Sequence, residues 1–175
     1  MRKSAHCFLK KSLLPLTLLM VLSVGSGRLP AADVHSLVID FEATDLEGQP
    51  FQGLSLEGKP LLLDFWAVWC LPCIEAMPTL NRLSHDLKEE GLEVVGVAVY
   101  SGDRERVGKF LKKHKVDYTI VVGSESMLEK LGVIGFPTYF LVDSEGLLYK
   151  SYIGEVEDFY QTVTHDLAQM KEKGN

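Results

Sequence analysis

The run Pro60–Leu61–Leu62–Leu63–Asp64–Phe65–Trp66–Ala67–Val68–Trp69–Cys70–Leu71–Pro72–Cys73 carries an apolar strand into the mouth of a helix. Pro60–Val68 is almost continuously apolar, the pattern of a central strand buried on both faces. From Leu71 to Glu90 the period changes. Ile74, Met77, Leu80, Leu83 and Leu87 fall on one helical face, and Gly91 supplies the stop. Pro72 suits an early helical position, where no backbone N–H is needed. Pro78 lies inside the helix, removes one backbone bond and predicts a kink.

Toward the N-terminus, Leu37–Ala43 and Pro50–Leu54 flank the turn signal Asp45–Leu46–Glu47–Gly48 and predict a small hairpin. Toward the C-terminus, Leu92–Tyr100 reads as a second buried strand. Asp103 caps a helix reaching His114, with Val107, Phe110 and Leu111 facing inward. Tyr118–Val122 is a short strand and Glu125–Leu131 a short helix. Thr138–Val142 and Leu147–Tyr152 pair around Asp143–Ser144–Glu145–Gly146. Val156, Phe159, Val163, Leu167 and Met170 mark a final amphipathic helix. Strands alternating with helices, then a closing hairpin and helix, predict a mixed α/β domain over residues 37–170 with a largely parallel centre.

The 175 residues suit one such domain plus a leader. Residues 1–32 hold five basic side chains and no acid. That leaves 13 of the 18 Lys and Arg against all 24 acids, a net of −11 beyond residue 32. So acidic a domain is a poor nucleic-acid binder. Ser12–Gly27 is uncharged and spans 16 residues, short for a membrane span of about 20. Small residues follow at Gly25, Ser26, Gly27, Ala31 and Ala32. The layout predicts a secretory signal peptide or an uncleaved N-terminal anchor, hence a periplasmic or other extracytoplasmic domain. The anchor would be the chain's only tie to a membrane.

Past the leader only Cys70 and Cys73 remain. A disulfide loop this short removes little chain entropy, so a purely structural staple gains little and redox chemistry is the better explanation. At the start of a helix, exposed N–H groups and the helix dipole favour a thiolate. Cys70 then attacks a partner disulfide, and Cys73 resolves the mixed disulfide. The two thiols carry the electrons, so no cofactor is implied. A single CxxC pair is half of a usual zinc set, and no histidine has metal spacing to it, so no metal site is expected. A metal chaperone using the same pair stays an alternative. A thiol peroxidase is disfavoured, because Val68–Trp69 occupies the space where that chemistry needs a threonine. Asp64 interrupts the apolar strand six residues before Cys70. Either it faces solvent, or it is a buried carboxylate of raised pKa that accepts the Cys73 proton.

The run Leu62–Cys73 resembles the active-site strand and loop of thioredoxins. Leu56–Glu57–Gly58–Lys59–Pro60 and Gly132–Val133–Ile134–Gly135–Phe136–Pro137–Thr138 resemble the TlpA/ResA branch of that family, exported and often membrane-tethered. The resemblance implies a thioredoxin fold with an N-terminal hairpin and a central helix–strand insertion at Ser101–Gly123. It implies that Pro137 is cis and faces the Cys pair, with Trp69, Phe136 and Pro137 contacting substrate. It implies a protein-disulfide reductase, acting on a disulfide-containing protein such as an apocytochrome c, supplied by a membrane thiol-electron donor. A periplasmic oxidase or isomerase is the alternative, since one CxxC supports both directions. One departure stands out. Where the branch often carries Glu, three residues after the second Cys, this chain has Ala76, with Glu75 beside it. Asp64 stands where the branch often has Asn, and is read as having taken over the acid's role.

Overall fold

The computed structural model describes residues 40–173. The leader over 1–32 and the domain start near Leu37 lie outside the described residues. In chain order come β1 (Glu42–Thr44), β2 (Pro50–Gln52), a 3-10 turn (Gly53–Leu56), β3 (Leu61–Trp66) and α1 (Leu71–Asp86). Then follow β4 (Glu93–Ala98), α2 (Arg104–His114), β5 (Thr119–Val122), α3 (Glu125–Leu131), β6 (Thr138–Val142), β7 (Leu148–Ile153) and α4 (Phe159–Lys173).

The strands form one sheet in the order β2-β1-β5-β4-β3-β6-β7. The β5, β4 and β3 neighbours are parallel, and β6 and β7 add antiparallel at the far side. Every residue of β3 is buried, the five apolar ones as a central strand requires and Asp64 along with them. Its side chains alternate between two cores. Leu62 and Trp66 pack with Met77, Leu80 and Leu83 of α1 and with Val163 and Leu167 of α4. Leu61, Leu63 and Phe65 pack with Val95, Val97, Phe140 and the Met127 and Leu128 of α3. The expected N-terminal hairpin forms, with Ala43 opposite Phe51, and Thr44 of β1 also pairs with Val122 of β5. The insertion at Ser101–Gly123 is α2 and β5.

Some boundaries move. The first helix stops at Asp86 rather than Glu90, and Lys88–Gly91 closes in turns, with Leu92 N–H bonding back to Leu87 O at 3.1 Å. Glu89 and Glu90 oppose the helix dipole there, and Gly91 takes φ +88 to reverse the chain. Pro78 sits within the helix, which continues past it as one element. Val156, expected on the last helix, lies before it: the chain passes Asp158 at φ +46 and helix begins at Phe159.

Candidate functional site

Cys70 and Cys73 form a disulfide at the strand-to-helix junction, with Cα atoms 5.3 Å apart. Cys70 is the N-cap of α1, and its Sγ accepts the Cys73 backbone N–H at 3.3 Å. A group that accepts from the helix mouth gains most when it carries negative charge, so the geometry favours the Cys70 thiolate once the bond is reduced. Pro72 stands in the first turn, where its missing donor leaves nothing unsatisfied. Both cysteines are buried, Cys73 at 1% exposure and Cys70 at 5%.

Two loops frame the pair. The Phe136–Pro137 bond is cis, as the resemblance implied. Pro137 is buried beside Pro72 in one cleft, which Glu75 and Ala76 also line. On the other side, Trp69 stands 62% exposed and meets the Phe136 ring edge-on at 5.9 Å. Its indole N–H donates to the Tyr100 carbonyl at 3.2 Å. Ser101 ties the same loop down: its hydroxyl accepts from Val68 N–H at 3.1 Å and donates to Val99 O at 3.0 Å. Tyr100 is thereby held at φ +51, a strained backbone for a bulky residue, with its ring 6.4 Å from Phe136.

Asp64 is buried, at 1% exposure, so the solvent-facing alternative fails. It lies two positions from both Leu62 and Trp66 and so shares their sheet face, the one that carries Cys73 and Met77. Its hydrogen-bond partner is the Tyr118 hydroxyl, which donates to Oδ2 at 3.1 Å. Oδ1 has no partner among the described residues. Burial pushes its pKa up to about 7, against the smaller downward pull of Tyr118. Gly96 stands opposite Asp64 on β4, and a Cβ there would come within 2.9 Å of the Tyr118 ring.

From the sequence, Tyr118, Tyr100 and Glu125 stand only as ends of a strand or helix, and neither they nor Glu129 are given a part in the site. The usable signal for the first was Gly96, a lone glycine inside a strand, which marks a close approach.

A CxxC disulfide at the end of a central strand, beside a cis-proline loop on a sheet of this order, is the thioredoxin-fold arrangement for thiol–disulfide exchange. The AhpC/TSA family profile matches residues 34–151, and the chain belongs to that family. It is similar to the thiol-disulfide oxidoreductase ResA of Bacillus cereus, 32% identical over 132 residues, covering 71% of this chain and 75% of that protein. ResA of Geobacillus thermodenitrificans is 34% identical over 134 residues, covering 75% and 76%. Among solved structures, a DsbE-type thiol:disulfide interchange protein from Chlorobium tepidum superposes with a TM-score of 0.71 at 25% identity, covering 78% of this chain and 96% of that one. The thioredoxin domain of a Bacteroides vulgatus thiol-disulfide oxidoreductase gives 0.68 at 26%, covering 76% and 96%. The protein is accordingly a thiol–disulfide oxidoreductase of the ResA/DsbE type, and the branch read in the sequence holds.

Proposed function

We propose that this chain reduces protein disulfides outside the cytoplasm, with an apocytochrome c cysteine pair as the first substrate to test. The observation that carries the reading is the Cys70 sulfur capping the helix mouth, more exposed than Cys73 and framed by exposed Trp69 and by Phe136. In the reduced protein the Cys70 thiolate attacks one substrate sulfur. The substrate S–S bond breaks and its second sulfur leaves as a thiolate. Cys73, giving its proton to Asp64, attacks the Cys70 sulfur and releases the first substrate sulfur as a thiolate. Two electrons pass from the enzyme dithiol to the substrate, whose thiolates take up two protons. The enzyme ends with the Cys70–Cys73 disulfide, and a membrane dithiol donor restores it. Trp69, Phe136 and cis-Pro137 supply the surface on which an extended substrate strand lies. The basic, apolar and small-residue leader over 1–32 supports export.

Cys73→Ala, expressed in the native host, is expected to accumulate mixed disulfides through Cys70 with exported cysteine-pair proteins. Recovery of cytoplasmic proteins alone, or of none, overturns the reading. A phosphatase fused after Asn175 is expected to be active outside the cytoplasm.

A further inference from the structure

Beside the Cys pair lies a cleft of about 310 Å³, lined by Trp69, Tyr100, Phe136, Ile134, Glu125 and Glu129 among others. That volume is at the lower end of small-molecule pockets, which run from about 300 Å³ upward, and suits a single side chain. Three of its walls are large apolar groups left in solvent: Trp69, Tyr100 at 52% and Ile134 at 90% exposure. Exposed apolar groups gathered at one place mark a contact surface. Aromatic faces attract cations through their ring quadrupoles.

The rim adds charge of one sign. Glu125 and Glu129 are four residues apart on α3, so they share a helical face. Among the described residues, no Lys, Arg or His lines the cleft. The nearest cation in sequence, Lys130, is turned away into an ion pair with Asp40 at 2.7 Å. The Glu125 carboxylate, with burial and the Glu129 charge behind it, raises the Tyr100 phenol pKa. The cleft is therefore electronegative as well as aromatic. Its geometry is also built rather than incidental, since Trp69 and Ser101 together hold Tyr100 in its strained conformation.

We propose that this cleft is a specificity subsite for a lysine or arginine side chain close in sequence to the substrate's disulfide. The proposal rests on the reductase reading and deepens it. The aliphatic stem lies along Ile134 and the aromatic rings, and the cationic head meets Glu125 and Glu129. Trp69 adjoins Cys70 and Phe136 adjoins Pro137, so a residue seated here belongs to the same segment as the disulfide under attack.

The test uses the full chain, reduced, and three synthetic disulfide-loop peptides. They carry lysine, norleucine or glutamate at both positions flanking the loop and are otherwise identical. The lysine peptide is expected to be reduced with kcat/KM about five-fold above norleucine and further above glutamate. That preference should shrink in about 0.5 M NaCl, where screening is strong. In the Glu125→Gln, Glu129→Gln double variant the lysine-to-norleucine ratio should fall to near one. Equal rates on the lysine and norleucine peptides, or a ratio the double variant leaves unchanged, overturn the subsite and leave the reductase reading standing. No reduction of any of the three peptides or of hydroxyethyl disulfide overturns both.

Discussion

Two buried carboxylates in this molecule each accept a tyrosine hydroxyl, yet they end in opposite states. Asp166 on α4 takes the Tyr152 hydroxyl at 2.7 Å and also the Lys150 ammonium at 2.7 Å. Burial pushes its pKa up, but the lysine and the tyrosine together bring it below the ordinary carboxylate range. Asp64 on β3 has Tyr118 and no cation, and burial lifts it to about 7. The difference of one ammonium group separates a structural anchor from a group that changes its proton near neutral pH.

The comparison predicts opposite pH dependences. Asp64 is protonated in the folded state up to about pH 7 but ionises near pH 4 when unfolded. Its contribution is fully present below the unfolded value and is lost as pH rises through the folded one. In the oxidised protein, where the cysteines do not titrate, the stability of wild type relative to Asp64→Asn should fall between about pH 4 and 7 by up to ~4 kcal/mol. Urea unfolding across that range measures it, and a flat difference would show that Asp64 is ionised throughout. Asp166 behaves the other way. Its contribution is present above the unfolded value and lost as pH falls through the lower folded one. Asp166→Asn should cost about 2 kcal/mol at neutral pH, shrinking in acid.

Kinetics sharpen the contrast further. Asp64→Asn should slow resolution of the mixed disulfide about ten-fold at neutral pH while first attack by Cys70 changes less. Glu75→Gln is the counterpart, on the exposed side of α1 in the Pro72–Pro137 cleft. Stopped-flow resolution that slows with Glu75→Gln and not with Asp64→Asn would return the acid to the helix. The smallest effect belongs to Tyr118→Phe. It removes a hydrogen bond that lowers the Asp64 pKa, so the pH profile of resolution should move upward by about one unit or less. A downward move would mean that Tyr118 donates to the neutral acid.

Much of this was legible along the chain because it is local. The run Leu61–Trp66, apolar but for Asp64, marks the central strand, the four residues Cys70–Cys73 carry the redox pair, and a carboxylate amid apolar neighbours announces itself. Phe136–Pro137 was legible through family resemblance, since a cis bond leaves no periodic trace. What escaped is what the fold assembles from afar. Tyr118 reaches Asp64 across 54 positions of sequence. Tyr100 looks like the end of a strand until Trp69 and Ser101 hold it at positive φ. Glu125 and Glu129 read as ordinary solvated helix charges until α3 is set beside the dithiol loop.

Gly96 has a consequence for how this enzyme could vary. Asp64, Gly96 and Ile120 lie in one row across three strands, and a Cβ at the middle position would sit 2.5 Å from Ile120 Cδ1 and 2.9 Å from the Tyr118 ring. An alanine there would act as a wedge, crowding the phenol that holds the carboxylate while both cysteines and Asp64 stay in the sequence. The proton affinity of the acid thus has an adjustment point, one methyl group wide, on the neighbouring strand, which carries no part of the chemistry.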